Sequence, residues 1–274
     1  MVTAEWLADH LDEVVVADVR WYLDGRSGQE AYLDGHIPGA VFVDVDRDLA
    51  DPPSAARGRH PLPNTERFAR SMTALGIGDQ DFVVAYDDAG GSTAARLWWM
   101  LDVLGHRAAV LDGGLQAWAA RELEQGDTPR RPIRFTPRLW SKERCAGPAE
   151  VERLRNDPRA IVIDARAPER YTGAFEPIDP HPGHIPGARN APWEGNLDPA
   201  TGRFLSPATL RERYGALGAL GASEVVVYCG SGVTACHDLL ALRAAGVSGR
   251  LYPGSWSQWS ADATRPIATG EDPC

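Results

Sequence analysis

Val225-Val226-Val227-Tyr228-Cys229-Gly230-Ser231-Gly232-Val233-Thr234 is the stretch that decides the fold. A β-branched run stops at a tyrosine and a cysteine, and a glycine-rich turn then feeds a helix. That is the pattern of a buried parallel strand entering its crossover helix. A thiol there stands at the carboxyl end of a strand, where open α/β sheets bind ligands. Gly230, Gly232 and the small Ser231 let successive backbone N–H groups turn inward as a nest for negative charge. The helix N-terminus beyond adds partial positive charge, and both effects favour thiolate over thiol. The alternative for Cys229 is a buried packing cysteine, but packing does not call for glycines on both sides of a serine directly after it. Cys236, about two helical turns further on, reads as core packing, with a resolving redox role as its alternative.

With 274 residues, 43% hydrophobic and 24% charged, the chain has the composition of a folded protein of one large or two ordinary domains. Met1 to Leu11 hold Glu5 and Asp9 but no lysine or arginine, so no secretory or transit leader is expected. No apolar run approaches the roughly 20 residues that cross a bilayer. A cytoplasmic protein without a membrane partner is expected. Cys145, Cys229, Cys236 and Cys274 are spaced too widely for a disulfide framework or a paired metal site, which suits a reducing compartment. The net charge of −10 argues against a nucleic-acid partner. Lys142 is the only lysine, so positive charge rests on arginine, the better bidentate partner for a planar anion.

The chain is written twice. Gly35-His36-Ile37-Pro38-Gly39-Ala40 returns as Gly183-His184-Ile185-Pro186-Gly187-Ala188. Upstream, Asp18-Val19-Arg20 answers Asp164-Ala165-Arg166, and downstream Phe82 to Asp87 answers Val225 to Cys229. The separation of roughly 140–150 residues exceeds any solenoid period, so two domains are expected. Their bounds are 1–124 and 145–274, with 125–144 as a linker without periodicity. Each half alternates strand and helix, which implies an α/β fold with a mostly parallel sheet and helices on both faces. Helices are predicted from Thr65 (capped by Asn64) to Gly76, from Ser92 to Gly105, from Pro207 (capped by Ser206) to about Tyr214, and from the Cys229 loop to Gly246. Asp87 stands where the second half has its thiol, so only one copy offers a nucleophile.

The cysteine loop, the paired Gly-His-Ile-Pro-Gly-Ala segments and the Asp-x-Arg strand ends together resemble the two-domain rhodanese family of sulfurtransferases, over nearly the whole chain. The resemblance implies two tandem rhodanese-like domains, the first non-catalytic. In the second, the cysteine takes a sulfane sulfur from a small anionic donor and passes it, as a persulfide, to a thiol, cyanide or thioredoxin. No metal or organic cofactor is implied. Cys-Gly-Ser-Gly-Val-Thr resembles the mercaptopyruvate version of the loop, whereas thiosulfate-preferring members carry basic residues after the cysteine. Gly230, Gly232, Val233 and Thr234 then hold the substrate with Arg170, which matches a family arginine for the donor's anionic group.

In the mercaptopyruvate version the serine works with a histidine and an acidic residue, so the resemblance implies Ser231 and His36, meeting across the domain interface. By spacing from His36 the acidic position falls at Ser27, with Asp24 and Glu30 nearby, and Asp24 is the residue chosen. The alternative for His36 is a structural turn histidine, since His184 recurs in the other half. A second family arginine is missing, because Phe175-Glu176-Pro177-Ile178-Asp179-Pro180 has none. Other functions remain open: thiosulfate:cyanide transfer proper, a persulfide carrier or binding module without turnover, and a cysteine phosphatase of the same fold. The phosphatase needs an arginine six or seven residues after the cysteine, where Ala235 and Cys236 stand.

Overall fold

The computed structural model describes residues 1–119 and 121–273; Cys274, the last of the four cysteines, lies outside the described residues. Two four-stranded, wholly parallel sheets form, as the alternating pattern predicts. The first contains β1 (Val15–Asp18), β2 (Val41–Phe42), β3 (Phe82–Tyr86) and β4 (Arg107–Val110), in the order β2-β1-β3-β4. The second contains β5 (Ala160–Asp164), β6 (Arg189–Asn190), β7 (Glu224–Tyr228) and β8 (Arg250–Leu251), in the order β6-β5-β7-β8. The central strands are buried on both faces, which explains their unbroken Val/Ile/Ala runs.

The duplication is physical as well as textual. Arg20 bonds Asp18 and the Gly35 carbonyl, and Arg166 bonds Asp164 and the Gly183 carbonyl. Tyr86 accepts the Ile37 N–H at 3.1 Å, as Tyr228 accepts that of Ile185 at 3.1 Å. Each Gly-His-Ile-Pro-Gly-Ala turn is thereby pinned to the central strand of its own sheet. Aromatic residues fill the core against each sheet: Tyr32, Phe42, Tyr86 and Trp118 in the first, Tyr228, Tyr252, Trp256 and Trp259 in the second.

Helix caps follow the sequence where it was explicit. Asn64 Oδ1 accepts from the Glu66 and Arg67 N–H groups ahead of Thr65–Ala74, and Ser206 Oγ accepts from Thr209 ahead of Pro207–Ala216. The helix expected from Ser92 begins at Ala94 instead. Asp87 is the reason: its carboxylate takes the N–H groups of Ala89, Gly91, Thr93 and Ala94 at 2.8–2.9 Å, wrapping residues 88–93 into a turn around itself.

The chain divides into two compact units, but not at a simple cut. The first comprises Met1–Asp51, Leu62–Trp140 and Pro199–Phe204; the second comprises Pro52–Pro61, Ser141–Asp198 and Leu205–Cys274. Residues 125–140, read as linker, belong to the first unit and are irregular yet packed. Phe135 is buried against Phe68 edge-on, Thr136 N–H donates to Asp79 at 2.8 Å, and Arg138 donates to the Leu104 carbonyl at 2.8 Å. Among the described residues no helix is long and apolar enough to cross a membrane.

Candidate active site

Strand β7 ends at Tyr228, and Cys229 follows it into the turn with only 2% of its surface exposed. The turn is fastened by the segment after β8. The Cys229 N–H donates to Ser255 Oγ at 3.2 Å, while the N–H groups of Trp256 and Ser257 donate to the Cys229 and Gly230 carbonyls at 2.9 Å. Ser255 pays in backbone conformation for this role: its φ of 52° is the only positive value outside glycine among the described residues. Gly232 has φ +81°, and a Cβ there would stand 2.5 Å from the Pro253 carbonyl oxygen, so glycine is required. Its N–H points at Cys229 Sγ from 3.1 Å. Val233 is buried, and Thr234 precedes the helix Ala235–Ala244, whose first turn is closed by Cys236 N–H to the Val233 carbonyl and His237 N–H to that of Thr234, both at 3.0 Å. Cys236 is fully buried, its thiol 3.5 Å from the Gly232 carbonyl.

Ser231 is buried, and its hydroxyl lies 2.7 Å from Nδ1 of His60, which is 4% exposed. This corrects the pairing of Ser231 with His36. His36 belongs to the first unit and is fully buried; its Nδ1 lies 2.9 Å from the Tyr32 carbonyl, its ring stacks on Tyr32, and Nε2 faces Glu124 at 3.7 Å. His184 repeats the arrangement on Tyr171, with Nδ1 2.9 Å from that residue's carbonyl. The histidine of both turns is therefore a packing and hydrogen-bonding element of the repeat. Asp24, the acidic partner chosen for His36, is 59% exposed and bonded to the N–H and guanidinium of its neighbour Arg26, which holds its carboxyl below the usual range; no imidazole is among these partners.

Two guanidinium groups flank Gly230. A Cβ built on that glycine would lie 3.0 Å from Arg59 Nη2 and 3.3 Å from Arg170 Nη1. Arg170 comes from the helix Pro168–Thr172; Arg59 comes from the Pro52–Pro61 segment of the same unit, directly before His60. Asp179 ties the two together, accepting from Arg59 Nη1 at 2.5 Å and Arg170 Nη2 at 3.0 Å. Glu176 accepts from Arg170 at 2.8 Å and from Arg166 at 3.2 Å, and also takes the N–H groups of Ile178 and Asp179. Burial works against the ionised form of both acids. Arg170 and the two N–H donors nonetheless hold the Glu176 carboxyl below the usual range, while for Asp179 burial outweighs Arg59 and leaves its carboxyl above it.

Arg59 and His60 were missed because they are written in the first half of the sequence and fold into the second unit. One signal was available: Arg57-Gly58-Arg59-His60 is a compact basic cluster in an otherwise acidic chain.

Comparison with known proteins now decides the family. The rhodanese-like domain model matches residues 3–121 and again 147–262. The chain belongs to the rhodanese family. It is a two-domain member and an enzyme of the sulfurtransferase type, served by a sulfur donor and a thiophilic acceptor. A Pseudomonas aeruginosa protein named for 3-mercaptopyruvate is 44% identical over 99% of this chain and 98% of its own length. A Mycobacterium tuberculosis protein named for thiosulfate is 39% identical over 98% and 97%. The solved 3-mercaptopyruvate sulfurtransferase from Leishmania major superposes with a TM-score of 0.84 at 34% identity, covering 97% of this chain and 75% of that one.

Proposed function

We infer that this rhodanese-family enzyme takes sulfur from 3-mercaptopyruvate in preference to thiosulfate, through a persulfide on Cys229. The observation that carries the reading is the Ser231–His60 hydrogen bond of 2.7 Å, one residue removed from the Gly230 position that Arg59 and Arg170 flank. Thiosulfate needs no proton moved when it surrenders its sulfur. Mercaptopyruvate does, and a hydroxyl–imidazole pair beside the nucleophile is suited to moving it.

The Cys229 thiolate attacks the donor's sulfur; an S–S bond forms as the C–S bond breaks and the electron pair leaves on the enolate of pyruvate. The proton of the donor's thiol passes through Ser231 and His60 to the enolate carbon, which becomes the methyl group of pyruvate. The anionic persulfide remains, faced by the Gly232 N–H. Attack by an acceptor on its outer sulfur restores the Cys229 thiolate: cyanide leaves as thiocyanate, and a thiol leaves as a persulfide, its proton lost to solvent. A small thiol or thioredoxin is the acceptor class proposed, in a cytoplasmic setting that keeps the thiols reduced. Arg59 and Arg170 hold the donor's carboxylate. The first unit takes no part in covalent chemistry, because Asp87 occupies the nucleophile's position.

The test is kcat/KM for both donors side by side, in wild type, Ser231→Ala and His60→Gln. Mercaptopyruvate turnover should fall in both variants and thiosulfate turnover should not; equal losses for the two donors would remove the proton relay from the account.

A further inference from the structure

The arginine pair beside Gly230 is not free positive charge. Asp179 and Glu176 oppose Arg59 and Arg170, and Arg166 is matched by Asp164. With every group ionised, the cluster has no net charge to offer an anion. The two acids differ in their hold on the proton. Glu176 is fixed by Arg166, Arg170 and two backbone N–H groups; Asp179, 2% exposed at its side chain, is held among the described residues by the two donor-site arginines. The charged groups that act most strongly on Asp179 are Arg59 from the Pro52–Pro61 segment, Glu176 from its own loop, and Arg170 from the Pro168–Thr172 helix.

We propose that Asp179 is a proton-linked specificity gate of the donor site: it competes with the donor's anionic group for Arg59 and Arg170, and gives way by taking up a proton. This rests on the donor reading above. A carboxylate donor drawn to the two guanidinium groups meets a third carboxylate already on them, and like charges at such range destabilise one another strongly. Protonating Asp179 removes the repulsion and leaves the cluster one positive charge, which matches the single carboxylate of a 2-keto acid better than a dianion. Burial already lifts the Asp179 carboxyl above its usual range, so the proton needed is held more readily there than at Glu176. Asp179 is a positioning residue; it makes and breaks no bond to sulfur.

Linkage gives the expected result. If binding takes up one proton, the donor's KM falls by up to about tenfold per unit as pH is lowered through the coupled range. Two measurements check it. Calorimetry of pyruvate binding to the wild-type enzyme, in two buffers of different ionisation enthalpy, should show net proton uptake and needs no variant. In Asp179→Asn, KM for 3-mercaptopyruvate should become much less pH-dependent and lie about tenfold below wild type at the alkaline end, with kcat altered far less. A wild-type pH slope retained in Asp179→Asn, or no proton uptake with pyruvate, overturns the gate. The reading beneath it fails differently: Arg170→Met would then leave the donor's KM unchanged.

Discussion

At the scale of single residues, chemistry concentrates where the backbone has least freedom. Gly232 illustrates the constraint, since its left-handed φ and the nearby Pro253 carbonyl both exclude a side chain. Gly232→Ala should cost about 1–2 kcal/mol in backbone conformation alone, lowering Tm and slowing persulfide formation measured by quenched-flow mass spectrometry. Ser231→Ala and His60→Gln should each lower kcat with mercaptopyruvate by about 10²–10⁴-fold, whereas His36→Gln should act through Tm. Cys229 and Ser231 stand out in the sequence because a thiol and a hydroxyl are set among glycines where a buried strand turns into a helix. His36 was misread for a physical reason: the Gly-His-Ile-Pro-Gly-Ala turn needs a histidine to bond one carbonyl and stack on one tyrosine in both halves, so the motif carries structure in each.

At the scale of elements, the helix Ala235–Ala244 and the Asp87 turn each hold a charge question. Asp238 on that helix is fully buried, receives the Asn196 amide at 2.6 Å, and has its carboxyl pushed up to about 8 by burial. Its folded-state pKa lies above the unfolded value of about 4, so the folded protein keeps a proton that the unfolded chain loses. Its contribution to stability is therefore full below pH ~4 and declines as pH rises toward ~8. Urea unfolding should show Asp238→Asn gaining on wild type across that window; parallel pH curves would contradict it. In the first unit, the Asp87 carboxylate satisfies four backbone N–H groups by itself. The same kind of turn that presents a thiol in the second unit is here closed on a built-in anion. Asp87→Ala should destabilise the protein by about 3 kcal/mol or more, because the buried donors lose their partner, and chemical denaturation would measure it. The two-residue delay of the helix after Asp87 was not legible, since aspartate's claim on successive N–H groups outweighs the helical periodicity of the sequence there.

At the scale of the whole molecule, the duplication set the fold within reach of sequence reading: each half names its own strands, turn and Asp-x-Arg lock. What the duplication concealed is that sequence halves and folded units differ. Pro52–Pro61 folds with the second unit and delivers Arg59 and His60, while residues 125–140 pack into the first without any periodic signal to announce it. A comparison of repeat with repeat finds what the halves share; the residues that complete a site in one copy alone are those it passes over. The measurement that tests the central claim most directly is the intact mass of the protein after incubation with 3-mercaptopyruvate and no acceptor. One added sulfur atom in wild type, absent in Cys229→Ser and discharged by cyanide, is the predicted result; an unmodified wild-type mass, or the same addition in Cys229→Ser, would contradict it.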